Sequence, residues 1–236
     1  MILGRNQAEG EERARQVRST GGKALFVGAD VLQEADLQKA CEEVLRTYGK
    51  IDGLVNAAGG NIPEAVIAPG DDIFQMDIPA LQKAFDLNLF GTILPTTIFG
   101  RAIAEGSSKG SIVNISSMAA QSAITRVLGY SMAKAAVDNF TRWMAVELAN
   151  RYGDKIRINA IAPGFFITHQ NRRLLTNEDG SYTSRGESVI RNTPYKRFGE
   201  PEELIGTLLW LLGDGSGFVN GEVVCVDGGF HIFSGV

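Results

Sequence analysis

Tyr130 and Lys134 stand four residues apart in the run Tyr130-Ser131-Met132-Ala133-Lys134, a spacing that puts both side chains on one face of a helix. An ammonium beside a phenol favours the phenolate, and bringing a phenol from about 10 to near 7 takes roughly 4 kcal/mol of differential stabilisation. One ammonium together with a second positive charge can supply that in a partly desolvated cleft. The phenol then serves as general base towards an alcohol or as general acid towards a carbonyl. Ser117 follows the apolar run SIVNIS and precedes Tyr130 by thirteen residues, so its hydroxyl is expected in the same cleft, holding the reacting oxygen for proton transfer. The alternatives are an exposed Tyr-Lys pair without consequence and a Ser116-Ser117 pair that caps a turn. A Ser-His-Asp hydrolase does not fit, because neither His169 nor His231 is placed as a base and no Gly-x-Ser-x-Gly turn occurs.

These residues need elements to hold them. Short β-branched runs at 23–29, 51–56, 111–116, 156–162 and 222–227 read as strands. Between them lie helical patterns after residue 31, at 79–105, at 130–150 and from Pro201 onward, where proline suits the first turn. In the 130–150 helix, Ala133, Val137, Phe140, Met144 and Leu148 form the apolar stripe. Alternation of this kind predicts an α/β fold, a doubly wound parallel sheet covered on both faces. Its strand ends would line one crevice, with Ala57 to Gly60, Ser116-Ser117, Pro163-Gly164 and Asp227 to Gly229 along it. The polar stretch at about 168–198 reads as a long irregular lid or substrate loop.

Composition narrows the class. Of 236 residues, 44% are apolar and 21% charged, which excludes a disordered chain. The 23 basic and 27 acidic residues leave a net charge of −4 and no basic run, so no nucleic-acid partner is expected. No signal-peptide core and no run of eighteen apolar residues occurs, so no membrane partner is expected either. Cys41 and Cys225 read as buried core thiols rather than a disulfide, and the two histidines make no zinc spacing with them, so no metal is expected. The expectation is a reduced, cytoplasmic protein acting on a small molecule.

Taken together, Asn56-Ala57-Ala58-Gly59, Asn88 within LNLFGT, Ser117 within NISSMAA, Tyr130 to Lys134, Pro163-Gly164 with Thr168, and Asp227-Gly228-Gly229 come in the order seen in one family. The chain resembles the short-chain dehydrogenases/reductases over nearly its whole length. That resemblance implies a Rossmann-like domain and an NAD(P)-dependent oxidoreductase interconverting a secondary alcohol and a ketone. It casts Tyr130 as the acid/base, Ser117 as the group orienting the substrate oxygen, and Lys134 as the cation that lowers the phenol and binds the nicotinamide ribose. Asn88 would hold a water in the proton relay. Asp30 and Val31 would border the adenine, Asn56, Ala57 and Gly59 the adenosine side, and Pro163, Gly164, Ile167 and Thr168 the carboxamide and pyrophosphate. It also implies packing as a homotetramer through the helices at 79–105 and 130–150 and through the last strand and helix, to which the apolar tail Phe230-His231-Ile232-Phe233 would contribute.

Met1 to Asn6 matches the end of the family's second strand, and no TGxxxGxG turn precedes it. The expectation is therefore a single domain over 1–236 whose first strand-helix unit is missing, with the two halves of its sheet separated. A late start, a shortened chain and a genuine variant are the competing explanations. Arg5, where the family's NAD-binding members place a carboxylate, leans towards NADP; a solvated surface arginine is the alternative. The run Phe165 to Arg173, the polar stretch to Thr193-Pro194, the ending DGGFHIFSGV and the early AAGGN resemble a branch acting on sugar acids, the D-mannonate oxidoreductases or fructuronate reductases. Arg126, Arg172 and Arg173 are the candidate carboxylate clamps, with Asn61, His169, Gln170 and Asn171 as hydroxyl partners. Other readings are a different polyol or 3-oxoacyl reductase, a cofactor-free dehalogenase, which would carry arginine at Lys134, or an impaired scaffold.

Overall fold

The computed structural model describes residues 1–168 and 171–235. It contains six strands, β1 Ile2–Gly4, β2 Phe26–Gly28, β3 Gly53–Asn56, β4 Gly110–Ile115, β5 Ile156–Pro163 and β6 Val223–Val226. All pair in parallel, but in two separate sheets: β1 with β2, and β3-β4-β5-β6 in that order. Among the described residues, β1 and β3 each pair with a single neighbour.

Local chemistry sets the helix ends. Helix α1, Gln7–Ser19, starts at Asn6, whose side-chain oxygen accepts from the Glu9 amide. Helix α2, Glu34–Tyr48, stops at Gly49, which takes the left-handed conformation with φ 78°. Helix α3, Ile78–Phe85, passes through a π-helical turn at Asp86–Phe90 into α4, Gly91–Gly106. This unbroken helix is long and apolar enough to cross a bilayer, yet half of its apolar stretch is buried within the protein. Helix α5 is the longest single helix, Leu128–Tyr152, and α8, Ile205–Leu212, follows a 3₁₀ turn opened by Pro201.

The core holds the divided sheet together. Leu3 and Val27 of the small sheet share one apolar cluster with Leu54 and Ile112 of the large sheet, Leu37 of α2, Phe99 and Ile103 of α4, and Leu148 of α5. Val113, Ile161 and Leu211 of α8 form a second cluster. Along α5, Ala133, Val137 and Leu148 are buried as the spacing predicts, whereas Phe140 and Met144 are only half-buried. Cys41 is a buried core thiol, but Cys225 is not: it is half-buried and donates to Gln121 Oε1 at 3.5 Å.

The stretch after β5 departs from the expected irregular loop. Its described part carries α6, Arg172–Leu175, and α7, Ser184–Asn192, over a small core of Leu175, Val189 and Phe198 joined by Phe165, Ile167 and Ile190. Helix α7 is amphipathic, but its apolar face is carried by Val189 and Ile190 alone, too short a period to stand out in so polar a segment. The cap is nevertheless anchored by a bridge between Phe166 and Gly199.

Candidate active site

Parallel strands end on one edge, so the turns after β3, β4, β5 and β6 face a common crevice. Three consecutive residues at the end of β4 contact one face of α5. The Ile115 carbonyl accepts from Lys134 Nζ at 2.7 Å, Ser116 Oγ donates a short hydrogen bond to Asp138, and the Ser117 hydroxyl lies near enough to Tyr130 to pull its pKa down. Tyr130, Lys134 and Asp138 follow at successive four-residue steps, so one helix face meets one strand end. Ser117 also caps the 3₁₀ turn at Met118–Ala120 by accepting from the Ala119 amide at 3.1 Å.

Burial pushes the Tyr130 phenol above its usual value, and the nearby Ser117 hydroxyl pulls it down. Lys134 Nζ lies 5.7 Å from the centre of the Tyr130 ring and is directed at a carbonyl. Burial pulls Lys134 itself down to about 8, opposed by the charge of Asp138. Asp138 is pushed up, again by burial, against the pull of Ser116, Arg142, Gln121 and Lys134. Asp138 stands one turn beyond Lys134 on the same helix face, a relation the four-residue spacing in the sequence displays.

Gly59 and Asn88 form the neighbouring wall. Asn88 is fully buried on the π-helical turn. Its amide nitrogen donates to the Gly60 and Ala84 carbonyls and its oxygen accepts from the Gly60 amide, each at 2.9 Å. With both N–H groups engaged, the Asn88 amide clamps the turn after β3. Gly59 has φ 154°, and a Cβ there would stand 2.6 Å from Asn88 Oδ1 and 3.2 Å from Lys134 Nζ. A side chain would fill the cradle beside the ammonium. Gly59→Ala is accordingly expected to lower the melting temperature by several degrees and turnover by roughly 10²-fold, checked by thermal melts and steady-state rates.

Other assigned residues land differently. Asn56 is buried and turned into the core, its amide donating to Thr96 Oγ1 and Asn114 Oδ1 at 2.8 Å each, so its side chain does not face an adenosine site. Ala57 is exposed at the crevice. Val31 packs against Gly91, where a Cβ would lie 3.0 Å from its methyl. Arg5 is exposed at the end of β1, 3.9 Å from Asp30, whose carboxylate also accepts from the Leu32 amide. Pro163 ends β5, and Gly164 lets the chain pass so close to Asp227 that a Cβ would sit 2.7 Å from its Cα. The Ile167 side chain packs into the cap, and the Thr168 amide donates to Asn171 Oδ1 at 2.7 Å. Asn171 also donates to the Phe166 carbonyl at 2.8 Å, so its amide closes this turn rather than standing free for a hydroxyl. Asn61, Arg172 and Arg173 are exposed, whereas Arg126 is half-buried. His169 and Gln170 lie outside the described residues. The tail is mostly folded back: Phe230 packs edge-on against Phe165 at 5.1 Å and His231 Nδ1 pairs with Asp227 at 2.7 Å, leaving Ile232 exposed.

The open cradle at Gly59, next to a buried ammonium whose remaining N–H groups meet no acceptor among the described residues, suits a polyhydroxylated ribose at the nicotinamide end of a dinucleotide. The described residues provide no glycine-rich turn for its pyrophosphate.

Comparison with known proteins agrees with this geometry. Residues 1–231 match the family described as Enoyl-(Acyl carrier protein) reductase. The chain is 45% identical over 244 residues to the uncharacterized oxidoreductase UxuB of Bacillus subtilis (strain 168), covering all of this chain and 86% of that protein. It superimposes with a TM-score of 0.90 and 39% identity on a crystal structure from Haemophilus influenza with bound NAD, named provisionally as a D-mannonate oxidoreductase, covering 99% of this chain and 86% of that one. A gluconate 5-dehydrogenase from Burkholderia cenocepacia J2315, in complex with NADP and tartrate, matches at a TM-score of 0.82 and 30% identity over 97% of this chain and 84% of its own. The chain belongs to the short-chain dehydrogenase/reductase family of NAD(P)-dependent oxidoreductases.

Proposed function

We propose that the protein interconverts a secondary alcohol and a ketone on a sugar acid, D-mannonate and fructuronate being the reference pair. The observation that carries the chemistry is the meeting of Ser117, Tyr130 and Lys134 at the end of β4. The bound nicotinamide supplies the hydride acceptor or donor. Ser117 holds the substrate oxygen against the phenol, and Tyr130 takes the alcohol proton in oxidation or returns it in reduction. Lys134, anchored on the Ile115 carbonyl, holds the ribose and favours the phenolate once a further positive charge shares the cleft. Asn88 and Gly59 keep that cleft open.

The substrate class is supported by Arg126 at the start of α5 and by the names of the two structural relatives. Arg5 favours NADP, while Asp30 beside it competes for the same guanidinium; the two relatives hold NAD and NADP respectively. Absorbance at 340 nm tests the reading, with both nucleotides against mannonate, gluconate, neutral alditols and a 3-oxoacyl thioester. Turnover of an aldonate with little on the alditols is expected. Preference for the thioester would replace the sugar-acid reading by the fatty-acyl one.

We also propose assembly as a homotetramer. Trp143 and Val146 on the outer face of α5 are 59% and 60% exposed, and Leu209 on α8 and the nearby Phe218 are more exposed still. Size-exclusion with light scattering is expected to return four copies, and a monomer would remove the proposal.

A further inference from the structure

Two arginines from distant parts of the chain lie close together at the loop that leads into α5. Arg126 lies in the loop that leads into α5, four residues before Tyr130. Arg185 lies in the first turn of α7, on the cap. Arg185 reaches across so that Nη1 donates to Thr125 Oγ1 at 3.2 Å and Nη2 to the Thr125 carbonyl at 3.4 Å. Its guanidinium therefore rests on the residue next to Arg126. Both arginines are half-buried. Among the described residues neither has a carboxylate partner.

A like-charged pair in partial burial is unfavourable on its own. Burial and the charge of Arg126 both disfavour the protonated form of Arg185, although a guanidinium does not release its proton in practice. Backbone strain accompanies the pair. Arg126 holds φ 76°, a conformation that a non-glycine residue adopts at some cost, with its carbonyl fixed by the Ile67 amide at 2.9 Å. The bonds to Thr125 use only part of Arg185's five N–H donors, so a planar edge stays available for a second planar group. Two neighbouring cations without a counter-ion among the described residues, one on the loop that leads into α5 and one on the cap, suit an anion that arrives with the substrate.

We propose that Arg185 and Arg126 together bind the carboxylate of the hydroxy-acid substrate, with Arg185 as the residue that selects acids over neutral polyols and ties the cap down on them. This rests on the sugar-acid reading above and assigns its acid end to a residue of the cap. Binding of the acid removes the repulsion between the two guanidiniums, so the cap is held more firmly when substrate is present.

Titration calorimetry with mannonate and with mannitol, in the presence of the nicotinamide nucleotide and without it, tests the proposal in the wild type, Arg185→Gln, Arg185→Leu and Arg126→Leu. Gln at 185 retains a donor for Thr125 and keeps the cap seated if the leucine variant does not. The wild type is expected to favour mannonate. Each variant is expected to lose about tenfold or more in mannonate affinity, as for a charged hydrogen-bond pair, with mannitol unchanged. A wild type that prefers mannonate and an Arg185→Gln protein that keeps the preference would overturn the clamp while leaving the sugar-acid reading intact. A wild type that binds both alike would overturn the two together.

Discussion

Tyr130→Phe is expected to cut kcat by about 10³-fold or more while leaving the melting temperature within a few degrees of the parent. The phenol hydroxyl is the group placed to exchange a proton with the substrate, and general acid–base catalysis is worth about 10² to 10⁴ in rate. The ring itself stays, so its packing at the start of α5 is retained, and only the hydroxyl near Ser117 is lost. Steady-state rates at 340 nm and a thermal melt decide it. Turnover within tenfold of the parent would remove Tyr130 from the proton path. Because burial raises this phenol, alcohol oxidation in the parent is expected to accelerate as pH rises from 6 towards 8.

Lys134→Met separates catalysis from stability. Burial holds the ammonium at about 8 against an ordinary 10.5. Between those values the unfolded chain keeps a proton that the folded chain has released, so the parent gains stability as pH climbs from about 8 towards 10.5. Below 8 the burial penalty is present in full, on the order of 3 kcal/mol. Methionine removes that penalty but also removes the bond to the Ile115 carbonyl and the ammonium that faces Asp138. The expected outcome is a melting temperature at pH 7 no lower than the parent's, without the parent's rise between pH 8 and 10. Turnover is expected to fall by about 10²-fold or more. A loss of more than about 5 °C at pH 7 would show that the lysine is mainly structural.

The part of this site that the sequence reveals is the part governed by short-range geometry. A four-residue step on a helix fixes the common face of Tyr130 and Lys134 whatever surrounds them, and a strand followed by a turn fixes where Ser117 emerges. Side chains whose partners are far along the chain escaped. Asn56 stands in a motif, yet its orientation is decided by Thr96 and Asn114, forty and fifty-eight residues away. Spacing also says nothing about burial, and burial decides the phenol: Lys134 is near Tyr130 in sequence but bonded elsewhere. Arg185 had no signal at all, since its interest arises from Thr125 and Arg126, sixty residues before it. The division of the sheet was legible because the order of strands in this fold is itself a sequence pattern.

That division has a measurable chemical consequence for the main chain. In a parallel ladder alternate residues bond to the same neighbour. The Ile2 amide bonds to the Leu25 carbonyl and the Ala29 amide to the Gly4 carbonyl, while the Asp52 carbonyl accepts from the Ser111 amide. The peptide groups of Leu3 on β1 and of Gly53 and Val55 on β3 therefore point away from their ladders. Deuterium uptake should be fast at Leu3 and Val55 and slow at Leu54 and Asn56, giving protection that alternates residue by residue along β3. An extended peptide that paired with β3 would erase the alternation.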